Sequence, residues 1–370
     1  MKKLTPIIII IAFVALGIGV YLGWQKAKPY LNPPKTPTPT AEELLKQKIK
    51  SLSDNEVFDY WNKTSATSTE IFYLSLDGRI LKANEGEDEE ISSKKIENLK
   101  QIKPSNDGSK ILIESGTTAS SSFEIFDLST KVWQPLDANI TAADFSPFEQ
   151  KIIYLIQNNK TGSSDLAIKD LTSKSKQKTT TLMSFNQKDF DILWIDKDLV
   201  LLVQKPANQI KGEIWQINLK DKTFKLFASG NGLMLNWQKN KNQGLKAIIS
   251  QNQLVLSLIN KDGQEKALDF SAFPDKCNLT DSYQLYCALA ISQSVPAQAL
   301  NLPDDYLKKA VYFNDSIMKI DASSTPSSME EILSSSNEAP IDVSKLRKIN
   351  NSLLFINRFD NKLYSFDLES

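Results

Sequence analysis

A tight turn that recurs at intervals of roughly 40 to 60 residues is the feature that most limits how this chain can fold. Each copy follows a short apolar segment, and the copies can be aligned on the third residue of the turn. That residue is Asp or Asn in all copies but the first: Ser75, Asp127, Asp170, Asn218, Asn260, Asp321 and Asp367. Asp and Asn suit this position because their short side chains accept hydrogen bonds from the backbone just beyond them. One such unit cannot bury its own apolar face, so neighbouring units must share a core.

Short apolar runs precede the turns and predict the inner strands of the fold. Residues 152–156 and 199–203 are two of these runs, both rich in β-branched and large side chains. The segments after the turns are more polar, as in residues 131–134 and 222–225. This gradient and this repeat length are typical of the four-stranded blades of a propeller. We therefore predict an all-β fold, a β-propeller with seven blades expected and six or eight as alternatives.

The third repeat carries motifs that resemble a known family of propellers. It contains Phe145-Ser-Pro147, then Lys151-Ile-Ile-Tyr154, then Ile168-Lys-Asp-Leu171, and residues 102–110 are a looser copy of its first turn. These motifs are similar to the repeat of TolB-like propellers. They also resemble the WD40-like repeat in the N-terminal propeller domain of the dipeptidyl-peptidase IV family. The likeness extends over residues 57–368 and implies the propeller fold.

The sequence excludes several kinds of catalytic and binding site. Peptidases of the dipeptidyl-peptidase IV family add a hydrolase domain with a serine nucleophile and a histidine, but this chain of 370 residues has no histidine and no Gly-x-Ser-x-Gly elbow. The absence of histidine also excludes Ser-His-Asp triads and imidazole metal sites. The 44 basic and 44 acidic residues give no net charge, so nucleic acid is not an expected partner.

Residues 6–24 predict a transmembrane helix that acts as a single-pass signal anchor, preceded by a short flank of residues 1–5. The run is uncharged and apolar, and its length is close to the ~20 residues that cross a bilayer as a helix. Tyr21 and Trp24 lie where interfacial aromatic residues are expected, and Lys26 and Lys28 follow at the headgroups. The alternative is a signal peptide that is cleaved.

Residues 25–54 are predicted to connect the anchor to the propeller, which is assigned residues 55–370. Five prolines between residues 29 and 39 indicate an extended, semi-rigid spacer. Thr40 and Glu43 form a capping box, which predicts a short helix from Ala41 to about Lys50. At the other end, residues 353–368 supply two strands of a four-stranded blade. We therefore expect residues 54–61 to join the last blade and close the ring.

The two cysteines predict a disulfide between Cys277 and Cys287. Cys287 lies in an apolar run, and Cys277 follows a loop at residues 274–276. Asn278 and Asp281 supply turn residues between them, so the cysteines can face each other across a hairpin. An exported domain favours the bond because oxidising compartments form and keep disulfides. The alternative is two buried free thiols.

Other candidate sites are weak in this sequence. Residues 85–90 are acidic, but they lack the ligand spacing of a calcium loop and predict a solvated loop. Asp304 and Asp305 are the nearest approach to paired catalytic carboxylates, yet adjacent residues on a loop usually face water. We assign no catalytic residue, no metal ligand and no cofactor, and we assign no binding residue.

Three short elements resemble those of bacterial membrane-anchored propellers, namely Lys276-Cys277, Tyr286-Cys-Ala288 and Pro303-Asp-Asp305. That resemblance implies no activity. We predict a propeller on the extracytoplasmic side of the cell membrane that acts as a protein-binding, ligand-binding or scaffolding module and not as an enzyme. Its partners would be the membrane, through the N-terminal helix, and another envelope protein or a surface ligand. One alternative is an envelope glycan-cleaving hydrolase or lyase that uses carboxylates in the propeller funnel. Another is a purely structural envelope component.

Overall fold

The computed structural model describes residues 49–65, 67–84, 86–117, 120–172, 179–186, 189–208, 210–293, 300–334 and 340–368. Within these ranges, strands β1 to β28 form seven four-stranded antiparallel sheets. The sheets are the blades of a seven-bladed β-propeller, which confirms the predicted fold class. No helix in the described part of the chain has the length and hydropathy needed to cross a membrane. The predicted anchor at residues 6–24 and the proline-rich spacer lie outside the described ranges.

Blades 1 to 6 are each built from four strands that are consecutive in the chain. Blade 1 contains β2 (Val57–Thr64), β3 (Thr69–Ser75), β4 (Ile80–Lys82) and β5 (Glu89–Ser92). Blade 2 contains β6 (Leu99–Pro104), β7 (Lys110–Thr117), β8 (Ser120–Asp127) and β9 (Val132–Pro135). Blade 3 contains β10 (Ile140–Phe145), β11 (Lys151–Gln157), β12 (Ser164–Asp170) and β13 (Thr179–Phe185).

Blade 4 contains β14 (Phe190–Asp196), β15 (Leu199–Gln204), β16 (Lys211–Asn218) and β17 (Phe224–Asn231). Blade 5 contains β18 (Met234–Gln238), β19 (Gln243–Ser250), β20 (Gln253–Asn260) and β21 (Glu265–Ala267). Blade 6 contains β22 (Cys277–Leu279), β23 (Gln284–Gln293), β24 (Phe313–Asp321) and β25 (Ser328–Leu333). A short helix, α1 (Asp304–Leu307), lies between β23 and β24, and 3₁₀ helices occur at Lys239–Lys241 and Pro274–Lys276.

Blade 7 closes the ring with strands from both ends of the described chain. It contains β26 (Val343–Ile349), β27 (Ser352–Asn357) and β28 (Leu363–Asp367), and β1 (Ile49–Ser51) pairs with β28 at its outer edge. Closure by an N-terminal strand is therefore confirmed, but the strand is not at residues 54–61. Residues 57–61 belong to β2 of blade 1, and the C-terminal end supplies three strands, not two.

The N-terminal boundary of the propeller also differs from the prediction. Ile49 is buried and faces Phe366 across the β1–β28 pair. Residues 49 and 50 are therefore extended, whereas the capping box predicts a helix that reaches Lys50. The sheet also begins before the predicted boundary at residue 55. Burial of Ile49 against a strand from the far end of the chain overrides a local helical preference.

The hydrophobic core is divided into clusters that each lie between two neighbouring blades. In the described residues there are seven such clusters, and one of them joins blade 7 to blade 1 through Leu354 and Tyr60. Each blade thus buries its faces against its neighbours, as the repeat pattern predicts. The ring is closed by apolar packing as well as by the pairing of β1 with β28.

The apolar runs that predict inner strands form the second strand of each blade. In β11 and β15, for example, the central residues are all buried. The first strands are the innermost ones, because β2 contacts β6, β6 contacts β10 and β10 contacts β14. They are more polar than the second strands, since they pack around the axis of the disc. Second strands are hydrogen-bonded on both edges and covered on both faces, so they carry the most apolar sequence.

The recurrent Asp or Asn ends the third strand in blades 2 to 7. Asp127 accepts a hydrogen bond from the backbone N–H of Ser129 at 2.9 Å, and Asn218 accepts one from Lys220 at 2.9 Å. This is the turn chemistry that the repeat pattern predicts. Ser75, the exception in the alignment, ends the second strand of blade 1 and so belongs to a different turn.

Candidate functional site

Ion pairs between first strands tie blades together near the axis. Asp59 on β2 contacts Lys345 and Arg347 on β26, each at 3.1 Å. Lys103 on β6 donates to Asp191 on β14 at 2.6 Å. Burial opposes the ionisation of Asp59, but the charges of Lys345 and Arg347 outweigh burial and lower the pKa of that carboxyl below its usual value.

A third pair lies between blades 3 and 5. Asp144 on β10 accepts from Lys239 at 2.8 Å and from the backbone N–H of Trp194 at 2.7 Å. Its side chain is almost fully buried. The carboxylates that the enzyme alternative expects in the funnel are therefore present, but each of these three has a cationic partner on another blade. This arrangement joins blades and does not leave a free acid–base pair.

A cavity of about 750 Å³ lies between blades 5 and 6 and is called the interblade cavity below. Its described walls come from Asn208 after the second strand of blade 4, from residues 249–254 of blade 5, from residues 300–302 before the third strand of blade 6, and from the segment 271–276 that leads from blade 5 into blade 6. Four carboxamide side chains contribute to the lining: Asn208, Asn252, Gln253 and Asn301. The apolar part of the lining includes Phe273, Phe313, Ala288, Ala290, Leu254 and Leu302.

Lys276 lines the same cavity and belongs to a buried ion cluster. Its Nζ donates to Asp315 Oδ2 at 2.5 Å and to Asp342 Oδ1 at 2.7 Å. Arg358 donates to Asp342 Oδ2 at 2.7 Å. We define the buried ion cluster as Lys276, Asp315, Asp342 and Arg358, and none of these residues is more than 4% exposed. The cluster joins blade 6 to blade 7, and Lys276 is its member that lines the cavity.

The environment of Asp315 is asymmetric. Its Oδ2 accepts from Lys276 and also from the backbone N–H of Val343 at 2.8 Å, whereas its buried Oδ1 has no hydrogen-bond partner among the described residues. Burial raises the pKa of this carboxyl, although the charge of Lys276 acts in the opposite direction. Such buried charges remain stable only when they are paired and hydrogen-bonded.

Helix α1 fixes two of the loops that line the interblade cavity. Asp304 Oδ1 accepts from the backbone N–H of Asn208 at 2.8 Å, and Asp305 Oδ2 accepts from that of Asn301 at 2.7 Å. The sequence predicts that these neighbouring carboxylates face water. They instead hold loop backbones, because α1 lies beside the loop of blade 4.

Tyr306 of α1 anchors the helix to the segment that enters blade 6. Its ring stacks on Phe273 with centroids 3.7 Å apart and planes 7° apart, and its hydroxyl donates to the carboxylate of Asp275. The guanidinium group of Arg358 lies over the ring of Tyr306, 4.2 Å from its centroid. Burial raises the pKa of Tyr306 well above its usual value. The helix is therefore fixed by stacking, by a hydrogen bond and by a cation–π contact.

Cys277 and Cys287 form a disulfide, as the sequence predicts. They are directly opposite each other on β22 and β23, with Cα atoms 4.1 Å apart. Lys276 directly precedes Cys277 in the chain, and Ala288 directly follows Cys287. Both Lys276 and Ala288 line the interblade cavity. The disulfide therefore fixes the spacing of two lining residues.

The three short elements singled out in the sequence meet at this cavity. Lys276-Cys277 and Tyr286-Cys-Ala288 contribute lining residues, and Pro303-Asp-Asp305 starts the helix that holds the loops. Sequence reasoning missed the other three members of the ion cluster, Asp315, Asp342 and Arg358. Asp342 is 66 residues from Lys276, so no local motif connects them. The one sequence signal for this site was that the three short elements all lie within residues 276–305.

The described part of the acidic run at residues 85–90 makes hydrogen bonds and an ion pair with nearby residues. Asp88 accepts hydrogen bonds from the hydroxyl of Tyr73 and from the backbone N–H of Asp54, the latter at 2.8 Å. Glu90 pairs with Arg79 at 3.1 Å. Glu87, Glu89 and Glu90 are nevertheless exposed, so the described part of the run is solvated, as the sequence predicts. No group of three or more possible metal ligands occurs in the ranges that the structure covers.

Comparisons with known proteins confirm the fold. No family model matches the chain, and no curated protein matches it in sequence. Oligogalacturonate lyase from Vibrio parahaemolyticus is 10% identical, with a TM-score of 0.56 over 86% of this chain and 93% of that chain. The propeller domain of Cps50 (Swd1) from Myceliophteria thermophila is 9% identical, with a TM-score of 0.53 over 86% of this chain and 99% of that chain.

TolB from Acinetobacter baumannii also matches, at 10% identity over 88% of this chain and 67% of that chain, with a TM-score of 0.44. The seven four-stranded blades of the structure confirm the propeller fold that the TolB-like resemblance implies. At such low identities the matches show the fold alone. Propellers of this shape occur in a lyase and in proteins of other kinds, so the comparisons leave binding and catalysis undecided.

Proposed function

We propose that this protein binds a partner at the interblade cavity and does not catalyse a reaction. One observation carries the proposal. Among the described lining residues the only ionisable side chain is Lys276, and two carboxylates hold its ammonium group. A catalytic site needs an acid, base or nucleophile that can reach the substrate. The interblade cavity instead offers carboxamides and apolar surface, which are typical of sites that bind a ligand.

We place this binding module outside the cytoplasm, anchored by residues 6–24. The apolar run supports the anchor, and the proline-rich spacer would hold the propeller away from the bilayer. The Cys277–Cys287 disulfide supports an oxidising compartment. The partner would then be another envelope protein or a surface ligand.

Catalysis at a pair of carboxylates is the second candidate, and one observation favours it. Asp315 and Asp342 contact the same ammonium group, and burial raises the pKa of Asp315 as in many general acids. Asp315 is 1% exposed and Asp342 is fully buried, and neither lines the cavity. A substrate in the cavity would therefore meet Lys276 before it met either carboxylate, so we prefer binding.

A capture experiment with a filled cavity tests the proposal. Ala290 is exposed and lines the cavity, so Ala290→Trp should occupy it without disturbing the core. Val132→Trp is the matched control, because Val132 is 57% exposed on β9 of the distant blade 2. Tagged full-length chains would be purified from detergent-solubilised membranes, and co-purified molecules would be quantified by mass spectrometry.

We expect at least one co-purified molecule to fall about tenfold with Ala290→Trp and to be retained by Val132→Trp. Thermal melts of both variants would establish that the propeller is folded. Equal recovery from the wild type and both variants would contradict binding at this cavity.

A further inference from the structure

Lys276, the charged side chain among the described lining residues of the interblade cavity, belongs to a cluster that carries no net charge. The buried ion cluster has two cations, Lys276 and Arg358, and two carboxylates, Asp315 and Asp342. Each cation is within hydrogen-bond distance of at least one carboxylate. A charged ligand group placed against Lys276 would lose water without gaining an unpaired counter-charge, which is costly. The paired lysine therefore favours a ligand that is uncharged where it enters the cavity.

The polar part of the wall is made of carboxamides. Each side chain of Asn208, Asn252, Gln253 and Asn301 presents both a donor NH₂ group and an acceptor oxygen. A peptide backbone presents the same two kinds of group at every residue, one N–H and one C=O. Carboxamide walls can therefore satisfy an entering peptide segment without supplying charge.

Aliphatic side chains form another part of the lining. Ile249, Leu254, Leu300 and Leu302 line the interblade cavity together with the carboxamides. They offer apolar contacts to a ligand without adding charge.

The aromatic rings of the cavity are not available as platforms for sugar rings. Phe273 is stacked on Tyr306, and the ammonium group of Lys276 lies 4.7 Å from the centroid of Phe313. Both phenylalanines are no more than 5% exposed. Saccharide sites commonly use an open aromatic face, so an aliphatic lining without one favours a peptide with apolar side chains.

We propose that the interblade cavity binds an extended peptide segment of a partner protein that has apolar side chains and no charged residue. This inference rests on the proposed function and names its ligand class. The carboxamides would pair with the peptide backbone. Ile249, Leu254 and Leu302 would contact its apolar side chains, while the paired Lys276 would offer no counter-charge to charged ones.

Photo-cross-linking in cells tests the inference. The full-length chain would carry p-benzoyl-phenylalanine in place of Gln253, which is exposed and lines the cavity. The control would carry it in place of Phe148, which is 64% exposed on the loop between the first and second strands of blade 3, at the opposite end of the strands. Cross-linked products would be digested, and the attached segment would be sequenced by mass spectrometry.

We expect position 253 to cross-link to one peptide segment without Asp, Glu, Lys or Arg at the attachment point and its neighbours, and position 148 not to cross-link to it. A charged segment, a glycan or a lipid at position 253 would overturn the inference and leave binding at the cavity intact. The same product at both positions, or none at position 253, would contradict the inference and the proposed function together.

Discussion

Asp304 on α1 of blade 6 accepts a hydrogen bond at 2.8 Å from the backbone N–H of Asn208 in blade 4. The bond spans two blades at the wall of the interblade cavity. Because a helix of blade 6 holds the loop of blade 4, the geometry of the wall depends on this carboxylate. A loop fixed in this way needs no rearrangement to receive a ligand, which lowers the cost of binding.

Asp304→Ala should lower the free energy of unfolding by about 1 to 2 kcal/mol, because a hydrogen bond to a charged acceptor is lost. Asp304→Asn is the matched control, since the carboxamide oxygen can still accept from Asn208, and it should lose less. Urea denaturation of both variants measures the difference. Equal losses would mean that the acceptor oxygen is not what matters at this position.

Lys276→Met should lower the free energy of unfolding by about 3 to 5 kcal/mol, because it leaves two buried carboxylates with only Arg358 to neutralise them. Lys308→Met is the control. Lys308 pairs with Asp304 at 3.4 Å on the surface, where its side chain is 71% exposed, so the loss there should be below about 1 kcal/mol. Similar denaturation midpoints for the two variants would contradict the role given to the buried ion cluster.

Deletion of residues 362–370 should destabilise the whole propeller. The deletion removes β28, which lies between β27 and β1, and so it separates the two ends of the ring. We expect calorimetry to show one cooperative transition at a lower temperature, because neighbouring blades share their cores. A truncated protein that melts like the parent would show that the ring is not closed by β1 and β28.

Local sequence patterns predicted the parts of this fold that depend on neighbouring residues. The turns at Asp127 and Asn218 form within a few residues, and the bridged cysteines are ten residues apart. The position of the closing strand was not predictable, because Ile49 pairs with Phe366 at the far end of the chain. The buried ion cluster was missed for the same reason.

Asp59 should make the stability of the propeller sensitive to acid. Its pKa in the folded protein lies below its ordinary value of 3.8, so the carboxylate stabilises the fold above that pH. The contribution is lost as the pH falls through the folded-state pKa, because protonation then breaks the ion pairs with Lys345 and Arg347.

Asp59→Asn should be less stable than the wild type near neutral pH and should lose less stability between about pH 5 and pH 2. Arg347→Met should flatten the same part of the profile, since it removes one of the two cations beside Asp59. Thermal melts across this range provide the measurement. Parallel profiles for the wild type and both variants would rule out this ion pair as a source of acid sensitivity.

Cysteine labelling in intact cells tests the central claim, an extracytoplasmic propeller with an occupied interblade cavity. The two native cysteines are bridged, so an introduced cysteine is the only free thiol in the described residues. Gln253→Cys and Val132→Cys would be treated with a membrane-impermeant maleimide, first in intact cells and then after purification. We predict that position 132 is labelled in both cases and that position 253 is protected in cells but labelled in the purified protein. Labelling of position 253 in cells at the rate of position 132, or labelling of position 132 only after lysis, would contradict the claim.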